Sequence, residues 1–306
     1  DNLSKNGDIL KKLIIEFMRI YSPKKISWIK KNVKFPNTMV DGIVPKLRKE
    51  HKGYIEKKIS LLDKAPILHE PYVEWYIENN NFLKSEFFYK SNIKIVDNVD
   101  LYENIKLRFL NASHSAVSYI GLLLGYKFVH EVMEDYDCYK FIYNFMNLEV
   151  LPIVKVPKDF DKSKYINLVL QRFNNPHLND ELKRISIDGS YKIKIRLLDT
   201  IKDRLSDKNC SYSSFVITCW FKFLFGKDIN NNLIEINDPN KKTLLGIINN
   251  KNNIDQIIEN FLNYKFVFDI NKKDKSFLKK NIKTNNNNIN NYGLKNSIRN
   301  INNSKL

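Results

Sequence analysis

Apolar residues recur at helical spacing along most of the chain. This spacing predicts helices over residues 8–21, 24–33, 101–124, 127–147, 161–173, 175–187, 191–205, 212–225 and 254–264. Residues 65–78 are rich in aromatic and β-branched side chains in rough alternation, which indicates strands. Residues 35–45 are bounded by prolines and are predicted to form a structured loop. The pattern therefore predicts a mainly α protein with a few short strands.

The composition changes at residue 281, where the sequence becomes rich in asparagine. Low complexity of this kind predicts a mobile segment near Asn285–Asn291. A short amphipathic stretch around Leu294–Ile301 is expected to dock as a last helix. No other shift marks a boundary, so we expect one domain over residues 1–280 and a tail over residues 281–306.

The chain carries 51 basic and 34 acidic residues, a net charge of +17. Such a charge is typical of proteins that bind nucleic acid or another anionic surface. The basic residues are nevertheless dispersed, and the many asparagines indicate a genome biased toward Lys, Asn and Ile codons. We therefore expect no nucleic-acid partner. Charges interrupt every long apolar run before membrane-spanning length, so no membrane partner is expected either.

Three cysteines lie far apart and form no C-x-x-C pattern, which predicts a reduced, cytoplasmic protein. His69-Glu70 and His130-Glu131 do not continue as H-E-x-x-H, so no metal site is expected. The nine glycines cannot be assembled into G-x-G-x-x-G or a Walker-type loop. On this evidence the chain is expected to lack a dinucleotide-binding domain of its own.

The segment KLRFLNASHS, residues 106–115, places three polar side chains among apolar residues. On an α-helix, Asn111 lies about 140° and His114 about 80° around from Lys106, so all three share one half of the helix. One interpretation is structural: a lysine whose amine reaches solvent, and an asparagine and a histidine that bond within the protein. The other is a site for one small ligand.

The second interpretation has a specific chemistry. Desolvation among apolar neighbours disfavours the charged form of Lys106, so its pKa is expected to fall and the amine can act as a general base. The Asn111 amide can donate to an oxygen on which charge develops. His114 can hold a neighbouring hydroxyl. This set suits proton removal from a secondary alcohol, coupled to hydride transfer to a nicotinamide.

Several segments resemble those of the polyol-specific long-chain dehydrogenases, the mannitol dehydrogenase family. KLRFLNASHSAVSYIGLLLGY is similar to the family's K-x-x-x-x-N-x-x-H helix. SWIKKNVKFPNTMVDGIVP, HEPYVEWYIE and RFNNPHLNDELKRISIDGSYK resemble three further family segments, and DNLSKNG resembles the element that closes the family's cofactor domain. Because the similar segments follow one order over nearly the whole chain, the resemblance is specific.

The resemblance implies that residues 1–280 are the multi-helical C-terminal substrate domain of the family. Its fold is similar to the C-terminal domain of 6-phosphogluconate dehydrogenase. Residues 1–7 would be a remnant of the junction with the cofactor domain. The N-terminal Rossmann domain is expected to be absent from this chain, which would then be inactive without it. The resemblance also implies NAD as cofactor, with NADP left open, no metal, and a monomer.

The site residues implied by the resemblance fall into three groups. Lys106 matches the catalytic base, Asn2 and Asn111 the pair that stabilises the alkoxide, and His114 the residue that positions the substrate. Arg184 and Lys192 match residues that contact substrate hydroxyls. Val40 and Asp41 match a segment lining the substrate and nicotinamide pocket, so Asn2 and Val40 are also expected at the cofactor. Gly42 departs from the pattern, since the family usually has arginine there.

Two hypotheses follow. In the first, the chain is the catalytic and substrate domain of an NAD-dependent oxidoreductase that interconverts a secondary alcohol and a ketose. Its substrate pair would be D-mannitol and D-fructose or D-mannonate and D-fructuronate. In the second, the chain is a non-catalytic relic or a basic binding module that lacks the cofactor domain.

Overall fold

The computed structural model describes residues 3–45, 47–79, 93–205, 209–249 and 253–304. Contacts divide the chain into two compact units, residues 1–106 with 155–157 and residues 107–154 with 158–306. This division differs from the body and tail suggested by composition. The reason is that the first unit contains a sheet whose strands pair over long sequence separations, and such pairing produces no shift in composition.

The sheet of the first unit has three strands in the order β1 (Thr38–Asp41), β2 (Glu74–Glu78) and β3 (Ile93–Val96). β1 runs antiparallel to β2, and β2 runs parallel to β3. β1 lies in the segment predicted as a loop. Met39 and Asp41 on this strand are buried while their neighbours are half-buried, so burial alternates with the period of a strand.

The described helices of the first unit are α1 (Asn6–Tyr21), α2 (Ile26–Asn32), α3 (Lys49–Ile59) and α4 (Val99–Ile105). α1 begins where Asn37 accepts hydrogen bonds from the backbone N–H groups of Gly7, at 3.0 Å, and Asp8, at 3.3 Å. These donors have no partner inside the helix, so a side chain from outside satisfies them. The residue that caps α1 immediately precedes β1, which ties the helix to the sheet.

The second unit is helical. Its helices in the described residues are α5 (Ala112–Leu124), α6 (Val129–Glu134), α7 (Tyr136–Asn144), α8 (Lys162–Phe173), α9 (Leu182–Ser186), α10 (Gly189–Arg196), α11 (Leu198–Leu205), α12 (Ser211–Phe223), α13 (Lys241–Ile248), α14 (Ile254–Leu262), α15 (Lys272–Tyr292) and α16 (Leu294–Asn303). α5 and α12 are buried over nearly their whole length and pack against each other. They form the centre of this unit's core.

The long helix predicted over residues 127–147 is divided in the structure. α6 ends at Glu134, and the extended backbone of Asp135 separates it from α7. The Asp135 carboxylate accepts hydrogen bonds from the backbone N–H groups of Asp137 and Cys138, so it caps the start of α7. Apolar periodicity continues across this interruption, and for that reason the pattern alone predicts a single helix.

The asparagine-rich segment is helical and differs from the mobile segment predicted by composition. α15 extends through Asn285–Asn291, and α16 follows it after Gly293. Leu278, Ile282 and Ile289 share one helical face and are buried, and α15 packs against α12. A few apolar residues at the correct spacing therefore outweigh the polar composition. Among the described residues, no helix is long and apolar enough to cross a membrane.

Candidate active-site residues

Lys106 follows α4 and begins a π-helical turn, Lys106–Asn111, that leads into α5. In a π-helix the hydrogen bonds join residues five apart, and such turns are rare and frequent at functional sites. The angle of about 140° expected between Lys106 and Asn111 assumed a regular α-helix. That geometry does not apply across this turn.

The Lys106 side chain is buried in the first unit, with 8% of the residue exposed. Its Nζ donates a hydrogen bond of 2.5 Å to the backbone carbonyl of Val40 on β1. Val40 precedes Asp41, which is 3% exposed. Three residues identified from the sequence therefore belong to the first unit: Lys106, Val40 and Asp41. Of these, Lys106 and Val40 are in direct contact. Asn2 lies outside the described residues.

Gly42 follows β1 at the position where an arginine was expected. A Cβ atom placed on Gly42 would lie 2.6 Å from Cε1 of His69 and closer still to Nε2. The His69 ring therefore occupies the space that a side chain at this position would need. His69 also contacts the backbone carbonyl of Glu70, whose carboxylate accepts a hydrogen bond of 2.6 Å from the Ile43 N–H.

We expect Gly42→Ala to lower the free energy of unfolding by about 1 kcal/mol, because the exposed His69 ring must move away. Replacing His69 with alanine as well should remove this cost. Thermal or denaturant unfolding of both single variants and the double variant measures the coupling between the two positions. Equal effects of Gly42→Ala with and without His69 would contradict the contact.

His114 lies on α5 in the second unit and is 7% exposed. Its ring stacks on Phe173 with 4.3 Å between centroids. Burial lowers the pKa of the imidazole well below its usual value, and the neighbouring cations lower it further. His114 is therefore neutral near pH 7. Its Nε2 lies 3.9 Å from Oδ2 of Asp180, too far for a hydrogen bond, and has no other partner in the described chain.

The Asp180 carboxylate is 3% exposed and bonds to Arg184. Arg184 Nη2 lies 2.6 Å from Oδ1 and 2.8 Å from Oδ2, and Nε lies 2.9 Å from Oδ1. This forked geometry is the strong form of an arginine–carboxylate pair and fixes the guanidinium in one orientation. Arg184 is thus held beside the carboxylate that faces His114.

Lys192 lies on α10, and its Nζ donates to the carbonyl of Ile185, the residue after Arg184, at 3.0 Å. Burial, followed by the charge of Arg196, lowers the pKa of Lys192 to about 8. Asp238 anchors the start of α10, since its carboxylate accepts bonds of 2.7 Å from the N–H and the hydroxyl of Ser190. The turn at Asp188–Ser190 therefore brings Lys192 back to the helix that carries Arg184.

Two charged residues that contact these side chains, Arg196 and Asp180, are missed by sequence reasoning. Arg196 Nη1 donates to the backbone carbonyl of Asn111 and to Oγ of Ser115, both at 3.2 Å. Asp180 is the buried carboxylate described above. Arg196 follows Lys192 by four residues and Asp180 precedes Arg184 by four, and this i, i+4 spacing is the signal that could have identified them. The Asn111 amide itself bonds to no other residue that the structure describes.

In the second unit, the neutral His114 imidazole is thus surrounded by the cations Arg184, Lys192 and Arg196. Arg196 connects Asn111 to this group. This arrangement can bind and orient a small molecule rich in hydroxyl groups, because it offers fixed donors and an unpaired imidazole nitrogen. Over the part of the chain that is described, no group of three or more His, Cys, Asp or Glu side chains could hold a metal ion.

Two family models match the chain. The mannitol dehydrogenase C-terminal domain matches residues 98–290, and the mannitol dehydrogenase Rossmann domain matches residues 1–90. A mannitol dehydrogenase of Saccharomyces cerevisiae is 33% identical over 80% of this chain and 49% of its own length. A mannitol 2-dehydrogenase of Phaeosphaeria nodorum is 35% identical over 78% of this chain and 43% of its own length. The chain spans about half the length of the curated relatives it matches.

Two solved structures are similar to this one. Mannitol 2-dehydrogenase of Pseudomonas fluorescens, in a ternary complex with NAD and D-mannitol, has a TM-score of 0.84 and 28% identity. The similarity covers 98% of this chain and 61% of that one. A D-sorbitol dehydrogenase in substrate-free form has a TM-score of 0.86 and 26% identity, covering 97% of this chain and 61% of that one.

The prediction that the N-terminal Rossmann domain is absent from this chain is wrong, because residues 1–90 match the model of that domain. The prediction relied on the missing glycine-rich loop, which marks only one strand–helix turn of such a domain. Segments of the domain outside that turn carry no such signal. The mainly helical part is the match over residues 98–290, which is more than half of the chain. The chain belongs to the mannitol dehydrogenase family.

Proposed function

We propose that the protein is an NAD-dependent oxidoreductase that interconverts a secondary alcohol of a linear polyol or sugar acid and the corresponding ketose. The observation that carries the proposal is the environment of Lys106. A buried amine is rare in proteins, and the Nζ of Lys106 reaches the backbone carbonyl of Val40 on β1. When the amine is deprotonated, its lone pair is available to remove a proton from a hydroxyl group.

The proposed roles of the other residues follow from what each side chain can donate or accept. Asn111 donates from its amide to the substrate oxygen, as does Asn2 according to the family resemblance. His114, neutral and without a hydrogen-bond partner at Nε2, holds a hydroxyl group. Arg184 and Lys192 donate to further hydroxyl groups, and the contacts of Arg184 with Asp180 keep it oriented.

NAD, when bound, supplies the hydride acceptor in the proposed reaction. The nicotinamide is assigned to the segment at Val40 and Asp41, together with Asn2. What supports this is the bond from Lys106 to the Val40 carbonyl, which ties the proposed base to that segment. The sequence has no G-x-G-x-x-G loop, so we assign no residues to the pyrophosphate and leave NADP open. The three cysteines are buried thiols, which supports a reducing compartment such as the cytoplasm.

The hypothesis of a non-catalytic relic or binding module loses its main argument. It assumed that the cofactor domain is missing, whereas residues 1–90 match the model of that domain. The expectation that the chain is inactive for want of that domain is likewise unsupported. Glycine in place of arginine at position 42 is also no argument for a relic, because the His69 ring occupies the space beside it.

The test is a steady-state assay of the full-length protein with NAD and NADP. D-Mannitol, D-sorbitol and D-mannonate serve as alcohols, and D-fructose and D-fructuronate serve for the reverse direction. We expect reduction of the nicotinamide by at least one alcohol and reoxidation by its ketose, with no loss after chelation of metals. Absence of turnover in both directions with every pair would contradict the proposal.

A further inference from the structure

The C-terminal helix α16 is fastened to the start of α7 by two ion pairs. Lys295 Nζ bonds to Oδ2 of Asp135, and Arg299 Nε lies 2.7 Å from Oδ2 of Asp137. Ile298 on the same helix is completely buried, and α16 packs against α7. Charge and apolar contact therefore both hold this last helix in place.

The Asp135 carboxylate is the point at which α16 meets two other parts of the second unit. Its side chain is only 4% exposed, so its contact with Lys295 is largely shielded from water. Oδ1 caps α7, and Oδ2 also accepts a hydrogen bond of 2.8 Å from the Tyr126 hydroxyl. Removing one partner from a buried charge is costly, whereas exposed ion pairs contribute little. We therefore expect Lys295 to matter more than a lysine in an exposed ion pair.

The short helix α6 lies between Asp135 and the candidate site. It ends directly before Asp135 and begins at Val129, whose backbone N–H donates to the carbonyl of Asp180 at 3.0 Å. The Leu182 N–H donates to the carbonyl of Lys127, also at 3.0 Å. Because α6 has only six residues, it is too short to be stable by itself. Its position therefore depends on what holds its two ends.

Tight packing couples α6 to its neighbours. Val132 of α6 and Leu182 at the start of α9 both lie against Gly121 of α5. A Cβ atom placed on Gly121 would lie 2.5 Å from Cγ2 of Val132 and 2.6 Å from Cδ1 of Leu182. Ser118 on α5 also donates to the carbonyl of Leu182 at 2.9 Å. Since a packed interior deforms little, a shift of α6 is passed on to the segment that carries Asp180.

We propose that α16 is a latch that sets the position of Asp180, and through it the orientation of Arg184, by way of Asp135 and α6. The inference rests on the proposed function for the role of Arg184 and adds Lys295 as a residue that controls substrate binding. Lys295 touches neither substrate nor cofactor in this proposal and is therefore a positioning residue. When its bond to Asp135 is broken, α6 and the Asp180 segment loosen, and the substrate binds more weakly.

The first measurement is hydrogen–deuterium exchange of the full-length protein, which reports local opening of backbone hydrogen bonds. We expect Lys295→Met to speed exchange of the Val129 and Leu182 amides by about 10-fold, because their bonds join α6 to the Asp180 segment. The Ile234 amide bonds to Gly226 within a different loop and should exchange at the wild-type rate. A general loosening of the protein would speed all three.

The second measurement separates substrate binding from chemistry. By calorimetry with NAD present, the dissociation constants of D-mannitol and D-mannonate should rise about 3- to 10-fold in Lys295→Met. The dissociation constant of NAD and kcat should stay within about twofold, because the latch acts on Arg184 and not on the reacting atoms. A purely structural role would reduce the folded fraction and leave the affinities of folded protein unchanged.

Lys283→Met is the matched control. Lys283 on the neighbouring helix α15 also forms an ion pair, with Asp255, but both side chains of this pair are exposed. The substitution removes the same charge and should change neither exchange nor affinity. Circular dichroism confirms that both variants are folded.

Unchanged exchange of the Val129 and Leu182 amides in folded Lys295→Met would overturn the inference, as would equal effects of Lys283→Met. Faster exchange with unchanged substrate affinity would overturn it as well, because the latch would then not reach Arg184. The outcome is separable from that of the proposed function. Faster exchange at the two amides in a protein without turnover sustains the latch and rejects the function, whereas turnover with wild-type exchange in the variant does the reverse.

Discussion

Replacing Lys106 with alanine is expected to lower kcat by about 100- to 10,000-fold, the usual contribution of a general base. The amine of this residue is buried and bonds to the Val40 carbonyl. Lys106→Met is the better-matched change, because it retains most of the apolar side-chain volume. Both variants should keep the wild-type dissociation constant for NAD within a few-fold.

The measurement is kcat as a function of pH, with Lys11→Ala as control because Lys11 is exposed on α1. If Lys106 is the base, the wild-type rate of alcohol oxidation rises with pH as the amine loses its proton and then reaches a plateau. The low residual rate of Lys106→Met should lack this rise. Turnover within threefold of wild type in both variants, at neutral pH, would end the assignment of Lys106 as base.

Replacing Glu149 with alanine is expected to produce the largest loss of stability, about 2–5 kcal/mol. Glu149 lies in a second π-helical turn, Phe145–Val150, and is completely buried. Its carboxylate accepts hydrogen bonds from the backbone N–H groups of Tyr212, at 2.5 Å, and Ser213, at 2.9 Å. These N–H groups belong to the first turn of α12 and have no partner within the helix. Alanine leaves both buried and unsatisfied.

The contribution of Glu149 also depends on pH. Burial raises the pKa of its carboxyl from 4.5 to about 7, although the bonds from Ser213 and Tyr212 act in the opposite direction. Between these two values the folded protein binds a proton that the unfolded chain releases. The contribution of Glu149 to the free energy of unfolding is therefore largest below pH 4.5. It falls as the pH rises to about 7, by up to roughly 3 kcal/mol.

The pH effect is best measured as the difference in free energy of unfolding between wild type and Glu149→Gln. The glutamine is neutral at every pH, so this difference should shrink from pH 5 to pH 8. The difference between the two proteins is needed because His114 also makes the free energy of unfolding depend on pH. Its pKa is lowered in the folded protein, so below pH 6.5 the unfolded chain binds the extra proton and stability rises with pH. A difference that stays constant over this range would show that Glu149 does not titrate there.

Some of the proposed site residues could be named from the sequence because they follow one another at short spacing. Lys106, Asn111 and His114 lie within nine positions, and Arg184 and Lys192 flank a turn that the Asp-Gly-Ser run predicts. Arg196 and Asp180 were missed, although both lie four residues from a predicted member. A charge at that spacing on a helix is usually solvated, so only burial distinguishes these two from surface residues.

Other features depend on partners distant in sequence. Asp238 reaches Ser190 across 48 positions, and Glu149 reaches Ser213 across 64. The His69 ring fills the space beside Gly42, which lies 27 positions earlier in the chain. In each case one side chain satisfies backbone groups or occupies volume that belongs to another element. Periodicity and composition describe local sequence only and contain no information about such pairs.

The sequence by itself determined most of the helices between residues 101 and 262, the absence of a glycine-rich loop, and the functional groups that the lysine, asparagine and histidine carry. Apolar spacing specifies a helix locally, and the reactivity of a side chain is a property of the residue. The tertiary structure decided the sheet of the first unit, the π-helical turn at Lys106, the helix through the asparagine-rich segment and the charge around His114. These depend on strand pairing, burial and desolvation, which arise only when distant parts of the chain exclude water together.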